Sequence, residues 1–124
     1  MILIIGGIAS GKRTFARTLG YDDVHFSTEI DDGKPVLIDA QELPRACDSS
    51  LESLADRISE SKQVVLIVDV GSGIVPMERD EREWRDDVGH LGGFLASRAD
   101  TVIRMVCGIP VVLKGELPKG GTCK

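Results

Sequence analysis

The sequence has no long apolar run, no excess of positive charge and only three cysteines. None of its apolar stretches approaches the roughly 18 residues of a membrane-spanning helix, and Met1 leads straight into a short strand-like run without a basic segment. We therefore expect a cytoplasmic protein with no membrane span. Acidic residues outnumber basic ones by 20 to 15. Because nucleic-acid binding needs a basic face, we also expect no nucleic-acid partner.

The cysteines Cys47, Cys107 and Cys123 are odd in number and widely spaced, which matches neither a zinc site nor a disulfide framework. This usage is consistent with a cytosolic protein. We predict unpaired thiols without a chemical role, with Cys107 in a core strand.

The length of 124 residues, with 42% hydrophobic and 28% charged residues, is typical of one ordinary globular domain. Runs that are apolar throughout alternate with segments of helical periodicity. This pattern predicts a single-domain α/β fold, a mostly parallel β-sheet with helices on both faces. We place the domain at residues 1–115 and a flexible C-terminal tail at residues 116–124.

The expected elements follow from the apolar runs and from the positions of glycine, proline and serine. The predicted strands are 1–5, 24–26, 35–39, 64–69, 102–107 and 111–114. The predicted helices are 12–19, a segment that begins near residue 51 after a serine cap, and 79–98.

The segment from Gly6 to Lys12 fits the phosphate-loop (P-loop) pattern G-x-x-x-x-G-K, between a predicted strand and a predicted helix. Glycines there let backbone N–H groups approach phosphate oxygens in conformations that a Cβ forbids. The Lys12 ammonium is expected to reach the β- and γ-phosphates. A glycine-rich turn without a ligand is the alternative. The predicted nucleotide-binding residues are Gly6, Gly7, Ile8, Ala9, Ser10, Gly11, Lys12, Arg13 and Thr14.

The residue after Lys12 departs from the phosphate-loop pattern. A serine or threonine normally stands there and ligates Mg²⁺ through its hydroxyl, but this chain has Arg13. Thr14 follows one residue later, about 100° further round the helix, so it reaches the same metal position only after a local shift. Arg13 either contacts phosphate itself or points into solvent.

Two acidic residues end predicted strands, Asp39 after Val36–Ile38 and Asp69 after Leu66–Val68. An acid at the end of a strand beside a phosphate loop is typical of metal or base chemistry. An acid that merely begins a loop is the alternative for each. Because there are two, we predict that at least one of them has a metal or base role.

Further motifs carry a resemblance to a known family. The chain reads D-V-G-S-G-I-V-P over Asp69–Pro76 and R-D at Arg85–Asp86, and it later reads L-A, A-D and G-I-P. With the phosphate loop, it resembles the bifunctional adenosylcobinamide kinase / adenosylcobinamide-phosphate guanylyltransferase family of cobalamin biosynthesis, which carries E-V-G-x-G-I-V-P. The resemblance covers residues 1–19 and 64–114. The segment Val36–Leu43 resembles the family's V-L-V-D-C-L-T-L, with Asp39 on its acid.

The resemblance implies phosphorylation of the aminopropanol hydroxyl of adenosylcobinamide by ATP or GTP, then guanylyl transfer through a histidine, in a homotrimer. If the chain is a kinase, we expect Arg79, Arg82 and Arg85 to contact phosphates, and Arg85 keeps the family's R-D pair. A solvated charged helix face is the alternative for these arginines.

The chain departs from the family where the guanylyl-accepting histidine would stand. The family's R-I-x-x-H-x-x-R-P helix is reduced here to about Ser27–Lys34, which contains no histidine. We interpret His25 and His90 as structural or solvated, and we predict that guanylyl transfer is absent.

Three functions remain open at this stage. In the first, a kinase, Lys12 and the loop amides hold the triphosphate, Asp39 helps hold Mg²⁺, and Asp69 orients or deprotonates the acceptor hydroxyl. The second is a non-catalytic nucleotide-binding homologue that senses nucleotide or associates with corrinoid enzymes. The third is a phosphate-loop kinase for another small alcohol.

Overall fold

A computed structural model describes residues 1–7, 11–30, 32–46, 50–68 and 79–116. Within these ranges six strands form one sheet in the order β2-β3-β4-β1-β5-β6. The strands are β1 (Ile2–Gly6), β2 (Phe26–Ser27), β3 (Val36–Leu37), β4 (Val64–Val68), β5 (Thr101–Val106) and β6 (Ile109–Lys114). Strands β1 to β5 run parallel, and β6 is antiparallel to β5.

In the described part of the chain, four α-helices and two short 3₁₀ helices connect the strands. The α-helices are α1 (Lys12–Thr18), α2 (Leu43–Ala46), α3 (Leu51–Ser61) and α4 (Arg79–Arg98), and the 3₁₀ helices are Asp23–His25 and Ala40–Glu42. The predicted single-domain α/β fold with a mostly parallel sheet is confirmed.

The sheet is buried on both faces, which explains why its inner strands are apolar throughout. Leu3 and Ile4 are adjacent on β1 and both fully buried, yet they belong to separate clusters on opposite faces. The Leu3 face packs against α3 and α4. The Ile4 face packs against α1, which contributes Ala16 and Phe15. Side chains alternate between faces along a strand, so two covered faces require apolar residues at every position.

The helix signals in the sequence are local, and the structure confirms them. Helix α4 has the predicted bounds, and Val88, Leu91 and Leu95 bury its inner face. Helix α3 begins after Ser50, whose hydroxyl accepts a hydrogen bond from the Ser53 backbone N–H at 3.2 Å. Such an N-cap satisfies a backbone donor that otherwise has no partner in the first turn.

The predicted second strand is wrong at its start, because His25 belongs to a 3₁₀ helix. Its Nδ1 accepts a hydrogen bond from the Asp22 backbone N–H at 3.0 Å, and this local contact forms a capping box. Strand β2 therefore begins only at Phe26.

The prediction that Cys107 lies in a core strand is also wrong. Cys107 is an exposed free thiol in the turn between β5 and β6, where Cys107 has φ 51° and Gly108 φ 81°. Two consecutive positive φ angles are typical of a tight two-residue hairpin turn. The chain therefore reverses at these residues, and Ile109 and Pro110 join β6.

Among the described residues, no helix is long and apolar enough to cross a membrane. Cys47 and Cys123 lie outside the described residues, as does the proposed tail apart from Glu116.

Candidate functional site

The candidate site lies where the parallel strands end. Because β1, β3 and β4 run in the same direction, their carboxyl ends meet at one edge of the sheet. Gly6 ends β1, Val68 ends β4, and Asp39 follows β3. Strand β4 lies between β1 and β3, so Asp39 is two strands away from the phosphate loop.

Gly11, immediately before α1, requires glycine. Its φ is 93°, and a Cβ added there would lie 3.3 Å from the Cα of Gly108. Both the left-handed backbone and the close approach disfavour a side chain. Gly11 is the second glycine of the phosphate-loop pattern, and its lack of a side chain lets the turn between β5 and β6 pack directly against it.

Lys12 begins α1 and turns back over the end of β1. Its Nζ donates hydrogen bonds to the backbone carbonyl of Gly7 at 2.7 Å and to that of Gly6 at 3.3 Å. Burial lowers the pKa of Lys12 from its ordinary value of 10.5, the nearby Asp39 carboxylate opposes this decrease, and Arg13 adds to it. The ammonium therefore lies at the start of the loop, where a lysine of this motif meets phosphates.

Arg13 is directed toward Asp39. Its Nη2 lies 3.3 Å from Oδ2 of that carboxylate, and the side chains of Arg13 and Asp39 are 53% and 40% exposed. The ion pair therefore joins α1 to the end of β3 across the edge of the sheet. Neither of the earlier alternatives for Arg13 included this protein partner, and a contact between Arg13 and phosphate stays a prediction.

Gln41 is a site residue that the sequence analysis did not identify. It is 8% exposed, and its Nε2 lies 3.4 Å from Oδ1 of Asp39. Its Oε1 accepts a hydrogen bond from the Val68 backbone N–H at 3.2 Å, and its backbone carbonyl accepts one from Trp84 Nε1 at 2.8 Å. Gln41 thus links Asp39 to the end of β4 and to α4. The only sequence signal is a polar residue shortly after a strand-ending acid, and its burial is not visible there.

The other predicted site residues lie on α1, near the start of α4 or outside the described residues. Thr14 is exposed on α1, and Arg82 is exposed and Arg85 half-buried near the start of α4. The side chain of Arg79 and the residues Ile8, Ala9, Ser10 and Asp69 lie outside the described part of the chain. The roles of all these residues remain predictions.

The two histidines lie apart from this edge. His25 precedes β2, so it lies at the amino end of the parallel sheet, where it caps a turn and contacts the Tyr21 ring edge-on with centroids 5.9 Å apart. His90 is exposed on α4. These positions agree with the interpretation of His25 as structural and of His90 as solvated.

The described side chains do not fit a Mg²⁺ ion, which prefers an octahedral set of oxygen ligands. Arg13 stands where a phosphate loop supplies a hydroxyl, and both Asp39 carboxylate oxygens already have nitrogen donors near them. Across the described residues, no group of three or more His, Cys, Asp or Glu side chains could hold a metal ion. Asp39 and Thr14 as Mg²⁺ ligands remain predictions that these contacts do not support.

Comparison with known proteins finds one family and several relatives. A family model described as cobinamide kinase / cobinamide phosphate guanyltransferase (CobU) matches residues 32–113. The matched range contains Asp39, Gln41 and α4, and it begins after the phosphate loop.

The relatives are curated proteins of three bacteria. The chain is 29% identical over 101 residues to the bifunctional adenosylcobalamin biosynthesis protein CobP of Pseudomonas aeruginosa, a match that covers 72% of this chain and 58% of the relative. It is 38% identical over 74 residues to CobU of Salmonella typhimurium, covering 58% and 41% of the two chains. It is 36% identical over 78 residues to CobU of Escherichia coli, covering 61% and 43%. The matches thus span about half the length of these relatives.

Proposed function

The chain belongs to the cobinamide kinase / cobinamide phosphate guanyltransferase family, and on that premise we propose that it is a nucleotide-dependent kinase of cobalamin biosynthesis. It binds ATP or GTP at the carboxyl end of β1 and transfers the γ-phosphate to the aminopropanol hydroxyl of adenosylcobinamide. The relatives' shared name, bifunctional adenosylcobalamin biosynthesis protein, supports the pathway.

The position of Lys12 is the observation that carries the proposal. Its ammonium lies 2.7 Å from the Gly7 carbonyl, between a buried strand and a helix, in the sequence context that defines a phosphate loop. Phosphoryl transfer depends mainly on positioning and electrostatic stabilisation. When nucleotide binds, the Lys12 ammonium exchanges its hydrogen bonds to the loop carbonyls for hydrogen bonds to phosphate oxygens. It thereby supplies positive charge to the triphosphate.

Asp69 is proposed to act on the acceptor hydroxyl by orienting or deprotonating it. It follows Val68, whose backbone N–H donates to Gln41. Val68, the residue before Asp69, ends β4 at the edge of the sheet that carries Lys12, which supports a shared site. Arg79, Arg82 and Arg85 are proposed to contact phosphate groups from the start of α4.

We further propose that the chain does not transfer guanylyl groups through a histidine. The sequence contains only His25 and His90, and neither lies at the edge of the sheet that carries Lys12. Incubation with α-labelled GTP is therefore expected to leave the protein unlabelled. Acid-labile label retained on the protein would contradict this proposal.

The kinase proposal is tested by following transfer of labelled γ-phosphate from ATP or GTP to adenosylcobinamide. We expect transfer by the wild-type chain and a decrease of about 100-fold in Lys12→Ala, because contacts to a charged group contribute up to about 3 kcal/mol. Lys34→Ala is the matched control, since Lys34 is an exposed lysine at the opposite end of the sheet. Absence of transfer by the wild-type chain, with nucleotide binding intact, would contradict the kinase assignment.

The second candidate function is that of a non-catalytic nucleotide-binding homologue, which would bind nucleotide without transferring phosphate. The contact between Arg13 and Asp39 favours it, because Arg13 stands in place of the metal-ligating hydroxyl and pairs with the carboxylate that was predicted to help hold Mg²⁺. Such a protein would sense nucleotide or associate with other corrinoid enzymes.

A homotrimer is proposed from the family resemblance, and the exposed apolar side chains of β6 support it. Ile109, Val111 and Leu113 are 64%, 44% and 58% exposed on this edge strand, where unpaired backbone groups favour association. Light scattering after size-exclusion chromatography is expected to give three times the chain mass of 13.4 kDa. A mass of one chain at every concentration would contradict the trimer.

A further inference from the structure

We infer that the Arg13 guanidinium replaces Mg²⁺ as the second positive charge of this site, so that the chain binds ATP or GTP as the metal-free nucleotide. The inference rests on the nucleotide binding proposed above but not on phosphoryl transfer. It specifies the chemical form of the ligand, a free nucleoside triphosphate rather than its magnesium complex.

The identity and position of Arg13 support this inference first. It directly follows Lys12, so two permanent or nearly permanent cations are consecutive where the motif normally has a lysine and a metal-ligating hydroxyl. A guanidinium stays protonated in proteins and has donors but no acceptor, so it binds phosphate and cannot ligate a metal. It also repels a divalent cation placed beside it.

The contacts of the Asp39 carboxylate support the inference as well. Its Oδ2 lies 3.3 Å from Arg13 Nη2, and its Oδ1 lies 3.4 Å from Gln41 Nε2. A carboxylate whose two oxygens both face nitrogen donors is arranged to orient those donors rather than to ligate Mg²⁺. Asp39 therefore acts as a positioning residue for the guanidinium.

Two departures from the family pattern converge on this one carboxylate. Arg13 stands where the family's phosphate loop has serine, and Gln41 stands where its V-L-V-D-C-L-T-L segment has leucine. The two residues are 28 positions apart in the chain, yet their side chains approach opposite oxygens of Asp39. A single change of loop residue would not explain the second departure.

Gln41 also holds Asp39 in place. Its Oε1 accepts from the Val68 N–H and its backbone carbonyl accepts from Trp84 Nε1, so the glutamine is fixed between β4 and α4. Asp39 itself has left-handed backbone angles, φ 54° and ψ 42°. The carboxylate is thereby held facing Arg13, and the guanidinium, half exposed, is free to offer its remaining N–H groups to phosphate.

The inference is tested by isothermal titration calorimetry of the wild-type chain with GTP and with ATP, in excess EDTA and in excess Mg²⁺. We expect binding in EDTA that is at least as tight as binding in Mg²⁺. In Arg13→Ser we expect about tenfold weaker binding in EDTA and a restored preference for Mg²⁺. Arg13→Lys, which keeps the charge, is expected to retain binding in EDTA.

The matched control is Arg17→Ser. Arg17 lies on the same helix and forms an exposed ion pair with Asp23 at 2.7 Å, with 47% of its side chain exposed. Its replacement is expected to leave the dissociation constant unchanged in both buffers.

The possible results distinguish the inference of metal-free binding from the proposed nucleotide site. Binding by the wild-type chain only when Mg²⁺ is present would overturn this inference and leave the proposed nucleotide site standing. An Arg13→Ser variant that binds in EDTA as tightly as the wild type would overturn it as well. Absence of binding in both buffers would overturn the nucleotide site and the inference together.

Discussion

At the amino end of the sheet Lys62 is enclosed by protein, whereas at the carboxyl end Arg13 is half exposed. The Lys62 side chain is fully buried, and its Nζ donates to Oδ1 of Asp32 at 2.9 Å and to the Lys34 carbonyl at 2.8 Å. Arg13 and Asp39 meet at 3.3 Å with 53% and 40% of their side chains exposed. The first ion pair is satisfied within the protein, while the second keeps donors available to a ligand.

The enclosed pair lies at the short segment between β2 and β3. The Ser27 hydroxyl, the Lys62 ammonium and the Lys34 backbone N–H all donate to the Asp32 carboxylate. These contacts, led by the Ser27 hydroxyl, hold the pKa of Asp32 well below its usual range. The Asp32 carboxylate thus links the two ends of the short segment between β2 and β3 to each other and to Lys62. We propose that the charges at the amino end stabilise the fold and that those at the carboxyl end bind nucleotide.

The largest expected effect on stability is that of Lys62→Met. Methionine keeps most of the volume but leaves the Lys34 carbonyl and Asp32 without their buried donor, so we expect a loss of about 3 kcal/mol in the free energy of unfolding. Urea denaturation measures it, and Lys34→Met, an exposed lysine, is expected to stay within about 0.5 kcal/mol of wild type. Affinity for GTP is expected to be unchanged. A weaker affinity for GTP in folded Lys62→Met would contradict the assignment of stability to the amino end and of binding to the carboxyl end.

A smaller loss is expected for Gln41→Met, which probes the boundary between fold and site. The partly buried Val68 N–H loses its acceptor, which costs about 2 kcal/mol. The exposed neighbour variant Glu42→Gln is the control for urea denaturation. Unlike Lys62→Met, this variant is also expected to weaken GTP binding in EDTA, because Asp39 loses its support. Stability loss without any change in binding would show that Gln41 is purely structural.

Gly11→Ala is expected to cost about 1 kcal/mol, because alanine is strained at φ 93° and its Cβ would lie 3.3 Å from the Gly108 Cα. Gly89→Ala is the matched control with the opposite sign. Gly89 lies within α4 with open space around it, so alanine there is expected to stabilise by about 0.5–1 kcal/mol. Both changes are measured by thermal unfolding, and equal shifts of the same sign would contradict the conformation described for Gly11.

The smallest expected effect concerns pH and sharpens the assignment of Asp32. Because its pKa in the folded chain lies below the ordinary value of 3.8, its contribution to stability is complete above that value and is lost as the pH falls toward the folded pKa. Between about pH 5 and pH 2 the wild-type chain should therefore lose stability more steeply than Asp32→Asn. Glu60→Gln, exposed on α3, is the control, and equal slopes in all three chains would contradict this account.

Local patterns predicted much of this fold. The bounds of α4 followed from Trp84, Val88, Leu91 and Leu95, whose spacing alone identifies one face of a helix. The position of Cys107 could not be predicted in this way. Whether it continues β5 or begins a hairpin turn depends on how β6 pairs with β5. The burial of Gln41 depends on contacts with Val68 and Trp84, which are 27 and 43 residues away. Such distant contacts leave no periodic signal in the segment around Gln41.

The most direct test of the central claim, that the carboxyl end of the sheet is a nucleotide site, is an NMR titration of backbone amides with GTP. We predict chemical-shift changes that cluster at Gly6, Gly7, Lys12, Arg13 and Asp39, with the amides of Asp32 and Lys62 unmoved. The Lys12→Ala chain should show no such changes at the same concentrations. Unchanged spectra for the wild-type chain, or changes that cluster around Asp32 and Lys62 instead, would contradict the account.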